Sequence, residues 1–199
     1  MNNDADRPVR GGDQGPVVFE RYRAYLVFLA RRTIDPWLKA KVDASDIVQE
    51  TLLDAWKGRD ELRGQGEVAV MAWLRRILAN NLRDLERRYA GPEHNARRER
   101  SLEAAMDENS SRLGEWLAAD QTPPGRRADL NEQIVGLASA LAQLPPTQQR
   151  AIELRHFENL AHEDIAREMG LSGPGAVHGL LDRGRRRLRE LLAREDGIP

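Results

Sequence analysis

Apolar residues in this chain recur every three to four positions through successive stretches, a period that restricts it to helices packed on helices. Val18, Phe19, Tyr22, Tyr25, Leu26 and Leu29 form one such stripe within residues 16–32. Ile47, Val48, Leu52, Ala55 and Trp56 form a second within 43–57, opened by Asp43 or Ser45 as N-cap. A third, from Val68 to Tyr89, turns Trp73, Leu74, Ile77, Leu78, Leu82 and Leu85 inward. Gly58, Gly64 and Gly66 mark 58–66 as a loop between them. Aromatic residues are only 5%, β-branched runs are scarce, and Ala, Leu, Arg and Glu are abundant. These good helix formers predict an all-α fold.

The three stripes suffice for one small bundle, residues 16–90. Gly91-Pro92 breaks the pattern, and residues 91–129 are polar, with Asn109-Ser110-Ser111 and Thr122-Pro123-Pro124-Gly125. This segment reads as a linker with a short helix around Leu113–Ala118, where Trp116 is expected to dock on a neighbour. A second bundle, 130–196, starts with a helix carrying Ile134, Leu137, Ala138 and Leu141. Pro145-Pro146 opens the next, with Ala151, Ile152 and Leu154 inward, since proline suits a first turn. A short helix from Ala161 to Met169 ends at Gly170, and Ser172 is expected to cap a last helix burying Val177, Leu181, Leu188 and Leu192. The predicted architecture is two small helical bundles joined by a linker. Residues 1–15, polar and Gly/Pro-containing, read as a disordered tail without the apolar stretch of a signal peptide.

The chain of 199 residues has a net charge of −1, but that charge is segregated. Asp43, Asp46, Glu50 and Asp54 lie in a stretch from Asp43 to Trp56 that holds no basic residue. Arg75, Arg76, Arg83, Arg87 and Arg88 outweigh Asp84 and Glu86 in the third helix; Arg183, Arg185, Arg186, Arg187, Arg189 and Arg194 outweigh Asp182 and Glu190 in the last. Separate acidic and basic helices suggest separate partners, with solvated helix faces as the plainer alternative. Asp46, Glu50 and Asp54 recur at i, i+4 and i+8 and share a face. Carboxylates crowded there without a cation repel one another, which favours a basic partner.

The short helix, the turn Met169-Gly170-Leu171-Ser172 and the long basic helix have the layout of a helix-turn-helix. Such a helix presents its N-terminal residues to base edges and its later cations to phosphates. A structural helical hairpin is the alternative. Other chemistry finds no support. Gly64-Gln65-Gly66 begins a G-x-G-x-x-A pattern with no buried strand before it, and His162-Glu163 begins H-E-x-x-H with Ala166 in place of the second ligand. No phosphate-binding G-x-x-x-x-G-K occurs, and His94, His156, His162 and His178 do not cluster. Cysteine is absent, so no disulfide or thiolate metal site forms. No run of 18 apolar residues is present. No cofactor, metal or catalytic residue is expected.

The stretch LPPTQQRAIELRHFENLAHEDIAREMGLS, Leu144–Ser172, resembles region 4 of sigma factors, with its Leu-Pro opening, R-x-x-I-x-L-R core and E-D-I-A helix. Independently, DASDIVQETLLDAW (Asp43–Trp56) and AWLRRILANNLRDLERR (Ala72–Arg88) resemble the acidic helix and the W-L-x-R-I-x-x-N helix of region 2. No region 1 or region 3 domain is evident, which points to the extracytoplasmic-function group of the sigma-70 family. The resemblance implies a non-enzymatic, cytoplasmic subunit that binds core RNA polymerase and directs promoter recognition, melting and transcription initiation. It implies that Asp46, Gln49, Glu50 and Asp54 dock on the clamp helices of the largest polymerase subunit. Leu62, Arg63, Gly64 and Asn80 align with the pocket for a −10 base, with Arg75, Arg76 and Arg83 on phosphates. Leu62 stands where the family often has an aromatic residue. Ser172, Gly175, His178, Gly179, Asp182, Arg183, Arg186 and Arg187 would meet the −35 element, although Gly173-Pro174-Gly175 makes the turn one residue longer and His178 replaces a frequent Arg. The polymerase flap and an anti-sigma factor are further candidate partners. A helix-turn-helix regulator that never joins polymerase is the competing reading; it has no need of the acidic helix.

Overall fold

The structure, a computed structural model, describes residues 16–62, 64–90, 99–119 and 130–195. The predicted tail, Arg63, the Gly91-Pro92 break and the Thr122–Gly125 turn lie outside the described residues. All elements among the described residues are helical. They are α1 (Arg23–Thr33), α2 (Pro36–Lys39), α3 (Ala44–Lys57), α4 (Glu67–Ala90), α5 (Glu99–Ala119), α6 (Leu130–Ala142), α7 (Pro146–His156), α8 (His162–Glu168) and α9 (Pro174–Glu195), with 3₁₀ turns at Pro16–Tyr22 and Arg59–Leu62. Contacts divide the chain into two compact units, Met1–Ser111 with Asp129–Val135 and Arg112–Ala128 with Gly136–Pro199.

In the first unit α3 packs against α1 and α4. Tyr25, Leu26 and Leu29 of α1 meet Val48 and Leu52 of α3 and Met71, Leu74, Leu78 and Leu82 of α4 in the core, all of them buried. The helix expected over 16–32 is tightened to a 3₁₀ turn through Tyr22. Tyr22 donates to Glu67 Oε1 at 2.8 Å, and Arg21 pairs with the same carboxylate, so the start of α4 is tied to the chain entrance. Burial and then the Glu67 contact push the Tyr22 phenol far above its ordinary pKa. Asp43, not Ser45, is the N-cap of α3; its side chain accepts the Ser45 backbone N–H at 2.8 Å, which holds that carboxyl below its usual range. Trp73 and Ile77, expected inward, are only half-buried.

Helix α5 departs most from expectation. Its 21 residues replace a linker with a short helix at 113–118. Leu102, Met106, Leu113 and Trp116 form its buried stripe. The polar Asn109-Ser110 pair does not interrupt it. Asn109 Nδ2 donates to the Ala105 carbonyl at 2.8 Å, and Ser110 Oγ accepts from the buried Tyr25 hydroxyl at 3.0 Å. The residues that read as loop-like are thus satisfied inside a helix. The division between units passes through α5 and α6.

In the second unit α7, α8 and α9 pack mutually. Trp116 stacks on His156 with centroids 4.5 Å apart and meets Phe157 edge-on at 5.7 Å. Arg112 donates to the Phe157 carbonyl. Helix α8 ends in a Schellman motif: Gly170 has φ 63°, Leu171 N–H reaches the Ala166 carbonyl at 2.8 Å, and Gly170 N–H reaches Arg167 at 3.3 Å. Ser172 does not cap α9, which begins two residues later at Pro174; the Gly173 carbonyl accepts the Ala176 N–H at 3.1 Å. Leu191 is buried in preference to Leu192.

A close approach sets the seat of α9 on α7. A Cβ built on Gly184 would lie 2.6 Å from Ile152 Cδ1, and Ile152 is itself buried. Gly184→Val is therefore expected to lower the stability of this unit by about 1–3 kcal/mol through overpacking. A denaturant melt measures the loss, and Ile152→Val in the same chain should recover part of it. A melt identical to that of the wild type would show that Ile152 swings clear.

Candidate functional site

Helix α3 presents Asp46, Gln49, Glu50 and Leu53 to solvent. The four predicted polar residues are not equivalent. Asp54 pairs with Lys57 at 2.8 Å and accepts from Asn81 at 3.4 Å, so the cation that the acidic stretch lacks is supplied just beyond it. Gln49 Oε1 accepts from Arg23 Nη2 at 2.6 Å. Asp46 and Glu50 have no hydrogen bond or ion pair among the described residues. Leu53, 41% exposed, lies on the same face and was not singled out by periodicity. Its signal is its spacing of three and four from Glu50 and Gln49, which places an apolar side chain on the polar side of the helix.

A cavity of about 510 Å³ opens where the glycine-containing loop meets α4. Glu61, Leu62, Gln65, Ala69, Ala72, Trp73, Arg75 and Arg76 line it, with Glu103 and Asp107 from α5. Trp73 Nε1 donates to Glu61 Oε2 at 3.2 Å and holds the loop to the helix. A Cβ on Gly58 would come within 3.0 Å of the Trp73 ring, so the chain leaves α3 directly beneath the indole. Gly64 has φ 77°, the left-handed conformation glycine accepts without strain. The indole provides the aromatic wall that Leu62 does not.

The residues expected at this site separate into two groups. Leu62, Arg75 and Arg76 line the cavity; Asn80 and Arg83 do not, and lie further along α4. Asn80 is exposed and accepts from Arg83 Nη1 at 2.6 Å. Arg83 also pairs with Glu103 at 2.8 Å, and Arg75 pairs with Asp107 at 2.8 Å while donating to the Tyr25 hydroxyl at 3.0 Å. Arg76 is exposed, with no ion pair among the described residues.

On α9, Gly175, His178, Asp182, Arg183, Arg186 and Arg187 are exposed and Gly179 is half-buried. Exposed Ser172 precedes the helix. His178 Nε2 lies 3.2 Å from Asp182 Oδ2, and Arg187 pairs with Glu190 at 3.2 Å. The Arg183 guanidinium folds over Gly179, where a Cβ would sit 3.2 Å from its Nη1. Arg183 and Arg186 hold no ion pair among the described residues. Arg150 bridges Glu158 and Glu168 and thereby braces α8 against α7. No helix among the described residues is long and apolar enough to cross a membrane.

These features define an all-α, helix-turn-helix protein with an acidic helix face and a partly cationic cavity in its other unit. Residues 18–91 match the family profile "Sigma-70 region 2" and residues 135–188 match "Sigma-70, region 4". The chain is similar to the RNA polymerase sigma factor NccH of Alcaligenes xylosoxydans, 28% identical over 150 residues covering 75% of this chain and 73% of that one. It is 30% identical to the RNA polymerase sigma-E factor of Streptomyces coelicolor over 171 residues, 84% of this chain and 79% of the other. Against the ECF RNA polymerase sigma factor SigG of Mycobacterium tuberculosis it is 30% identical over 154 residues, 73% of this chain and 41% of that longer protein. The chain belongs to the extracytoplasmic-function group of the sigma-70 family, polymerase-binding factors that direct transcription initiation. Association with core RNA polymerase and promoter DNA follows from that membership.

Proposed function

We propose that the first unit docks α3 on the clamp helices of the largest polymerase subunit and holds a base of the melted −10 strand in the α4 cavity, while α9 reads the −35 duplex. The observation that carries this reading is the pairing, in one unit, of an exposed acidic face at Asp46 and Glu50, without hydrogen bond or ion pair among the described residues, with a cavity walled by Trp73, Arg75 and Arg76. A base turned out of its stack needs a ring to lie on and hydrogen-bonding groups at its edge. Trp73 offers the first, and Gln65, Arg75 and Arg76 in the lining offer the second; Leu62, Arg63, Gly64 and Asn80 align with the pocket by the family pattern, Asn80 reaching the base from further along α4. In the domain roles proposed, residues 16–90 serve core binding and the −10 element, 91–129 connect, and 130–196 serve the −35 element. The flap meets the second unit, an anti-sigma factor competes for the same faces, and the protein acts in the cytoplasm without catalysing a reaction.

Two substitutions separate the DNA contacts. Asn80→Ala removes hydrogen bonds to a base edge and is expected to cost about 1–3 kcal/mol of discrimination. The loss should depend on the −10 sequence and appear in open-complex formation. Arg183→Ala removes a phosphate contact and is expected to weaken duplex binding on every sequence, with the salt slope reduced by about one. The measurement is open-complex yield with core polymerase on randomised promoters over a salt series. If Asn80→Ala lowers yield equally on all −10 variants while Arg183→Ala shifts only sequence preference, the roles are wrongly assigned.

A further inference from the structure

Two of the three arginines that would hold phosphate beside the −10 pocket, Arg75 and Arg83, are already engaged by carboxylates of the same chain. We propose that the first half of α5 is an acidic strap that occupies the DNA-strand site in the free protein and must yield it before Arg75 and Arg83 can bind phosphate. The proposal rests on the −10 reading of the cavity given above.

Glu103 and Asp107 are four residues apart and therefore project from one face of α5. Each meets one arginine of α4 at 2.8 Å, Asp107 with Arg75 and Glu103 with Arg83. Both carboxylates also line the cavity. A guanidinium committed to a carboxylate presents fewer of its N–H donors to a phosphate, so strap and DNA compete for the same groups. The strap is seated by packing: Leu102 and Met106 are buried on its inner side. A polar chain continues from Arg75 Nη1 to the Tyr25 hydroxyl and on to Ser110 Oγ, each link 3.0 Å. Arg32 Nε donates to Asn109 Oδ1 at 2.9 Å and holds the next turn.

The ionic part of this seat is weak enough to exchange. The Glu103 side chain is 49% exposed and that of Asp107 63%, whereas the arginines are about one-fifth exposed. Half-exposed pairs contribute little and are screened by salt. A DNA strand offers successive phosphates to the same cations and can displace them. Arg76, exposed and unengaged among the described residues, is left for the first encounter. The apparent affinity of the free chain for single-stranded DNA is then reduced by the fraction of molecules in which the strap is closed.

The test uses the full chain and a short fluorescein-labelled single-stranded DNA of random sequence, read by anisotropy at low salt. The E103Q/D107N variant is expected to bind about 3–10-fold more tightly than the wild type, a factor of a few from each exposed pair. The advantage should shrink as salt is raised. Equal or weaker binding by the variant overturns the strap, the weaker case showing that the carboxylates contact DNA favourably. A second measurement needs no substitution in α5. Saturating oligonucleotide should accelerate hydrogen exchange of the wild-type backbone between residues 99 and 111, and unchanged or slower exchange overturns the proposal. Arg76→Ala separates this from failure of the underlying reading. If Arg76→Ala weakens binding and E103Q/D107N does nothing, only the strap fails. If Arg76→Ala has no effect in either background, the cavity is not the DNA site and both readings fall.

Discussion

Reversing Asp46 and Glu50 to lysine is expected to lower the affinity of the chain for core polymerase by about 100-fold. Each reversal replaces an attraction with a repulsion at the proposed contact, where like charges facing one another are unfavourable. A combined loss of about 2.7 kcal/mol corresponds to that factor. The fold should survive, because both side chains are exposed and neither holds a hydrogen bond or ion pair among the described residues. One small structural cost is anticipated. Asp46 lies in the first turn of α3, where a cation opposes the helix dipole by about 0.3–1 kcal/mol. A thermal melt of the variant measures that cost separately. Binding should be followed over a salt series by competition against unlabelled wild type. Wild-type affinity should fall as salt rises, and the variant should fall less steeply. Leu53→Ala on the same face provides an uncharged comparison that weakens binding without altering the salt slope. Unchanged affinity of the double reversal at every salt concentration removes α3 from the docking surface.

Truncating Phe157 to alanine is expected to unfold the second unit while sparing the first. The ring is 1% exposed, meets Trp116 edge-on, and sits at the C-terminal end of α7 where Arg112 takes its carbonyl. Loss of a buried aromatic costs about 3–5 kcal/mol. Small domains are stable by only about 5–15 kcal/mol, so a compact unit of this size loses most of its margin. Of the four tryptophans, Trp116 alone lies in that unit, and its emission should shift to the red as His156 and Phe157 leave it. Core binding through α3 should persist in the same preparation, while transcription that depends on the −35 element should disappear. Retention of native Trp116 emission and of −35-dependent transcription would show that the second unit does not depend on the Phe157 ring. Simultaneous loss of core binding together with unfolding of α1, α3 and α4 in hydrogen exchange would instead show that the two units fold as one.

The helices were largely legible because their signals are local. The stripe Leu74, Leu78, Leu82 and Leu85 needs only a period of 3.6 to declare itself. Asp43 caps α3 through a bond two residues away, and the turn at Gly170 closes α8 through bonds that span three and five residues. The region 2 and region 4 motifs are contiguous strings, so they identify the family without reference to packing. Ser172 lies two residues short of α9, whose start at Pro174 follows the longer Gly173-Pro174-Gly175 turn, a shift of local geometry that composition does not register.

What the sequence alone left undecided is how polar side chains are used at a distance. Asn109-Ser110-Ser111 has the composition of a loop, yet it lies inside a helix whose stripe is buried and where Tyr25, 85 residues from Ser110, brings a hydroxyl to it in the core. Arg75 and Arg83 have the spacing of free phosphate-binding cations, yet their partners Asp107 and Glu103 come from a segment that composition assigned to a linker. Asp54 has a local cation in Lys57, three residues on, but its second partner, Asn81, comes from α4, which leaves Asp46 and Glu50 as the acids of α3 without an ion pair among the described residues. Gly184 carries no pattern of its own; only the approach of Ile152 from α7 makes a side chain there costly. Periodicity and capping are decided within one or two helical turns. The pairing of charges and the burial of hydroxyls depend on which helices become neighbours, and tertiary packing settles that.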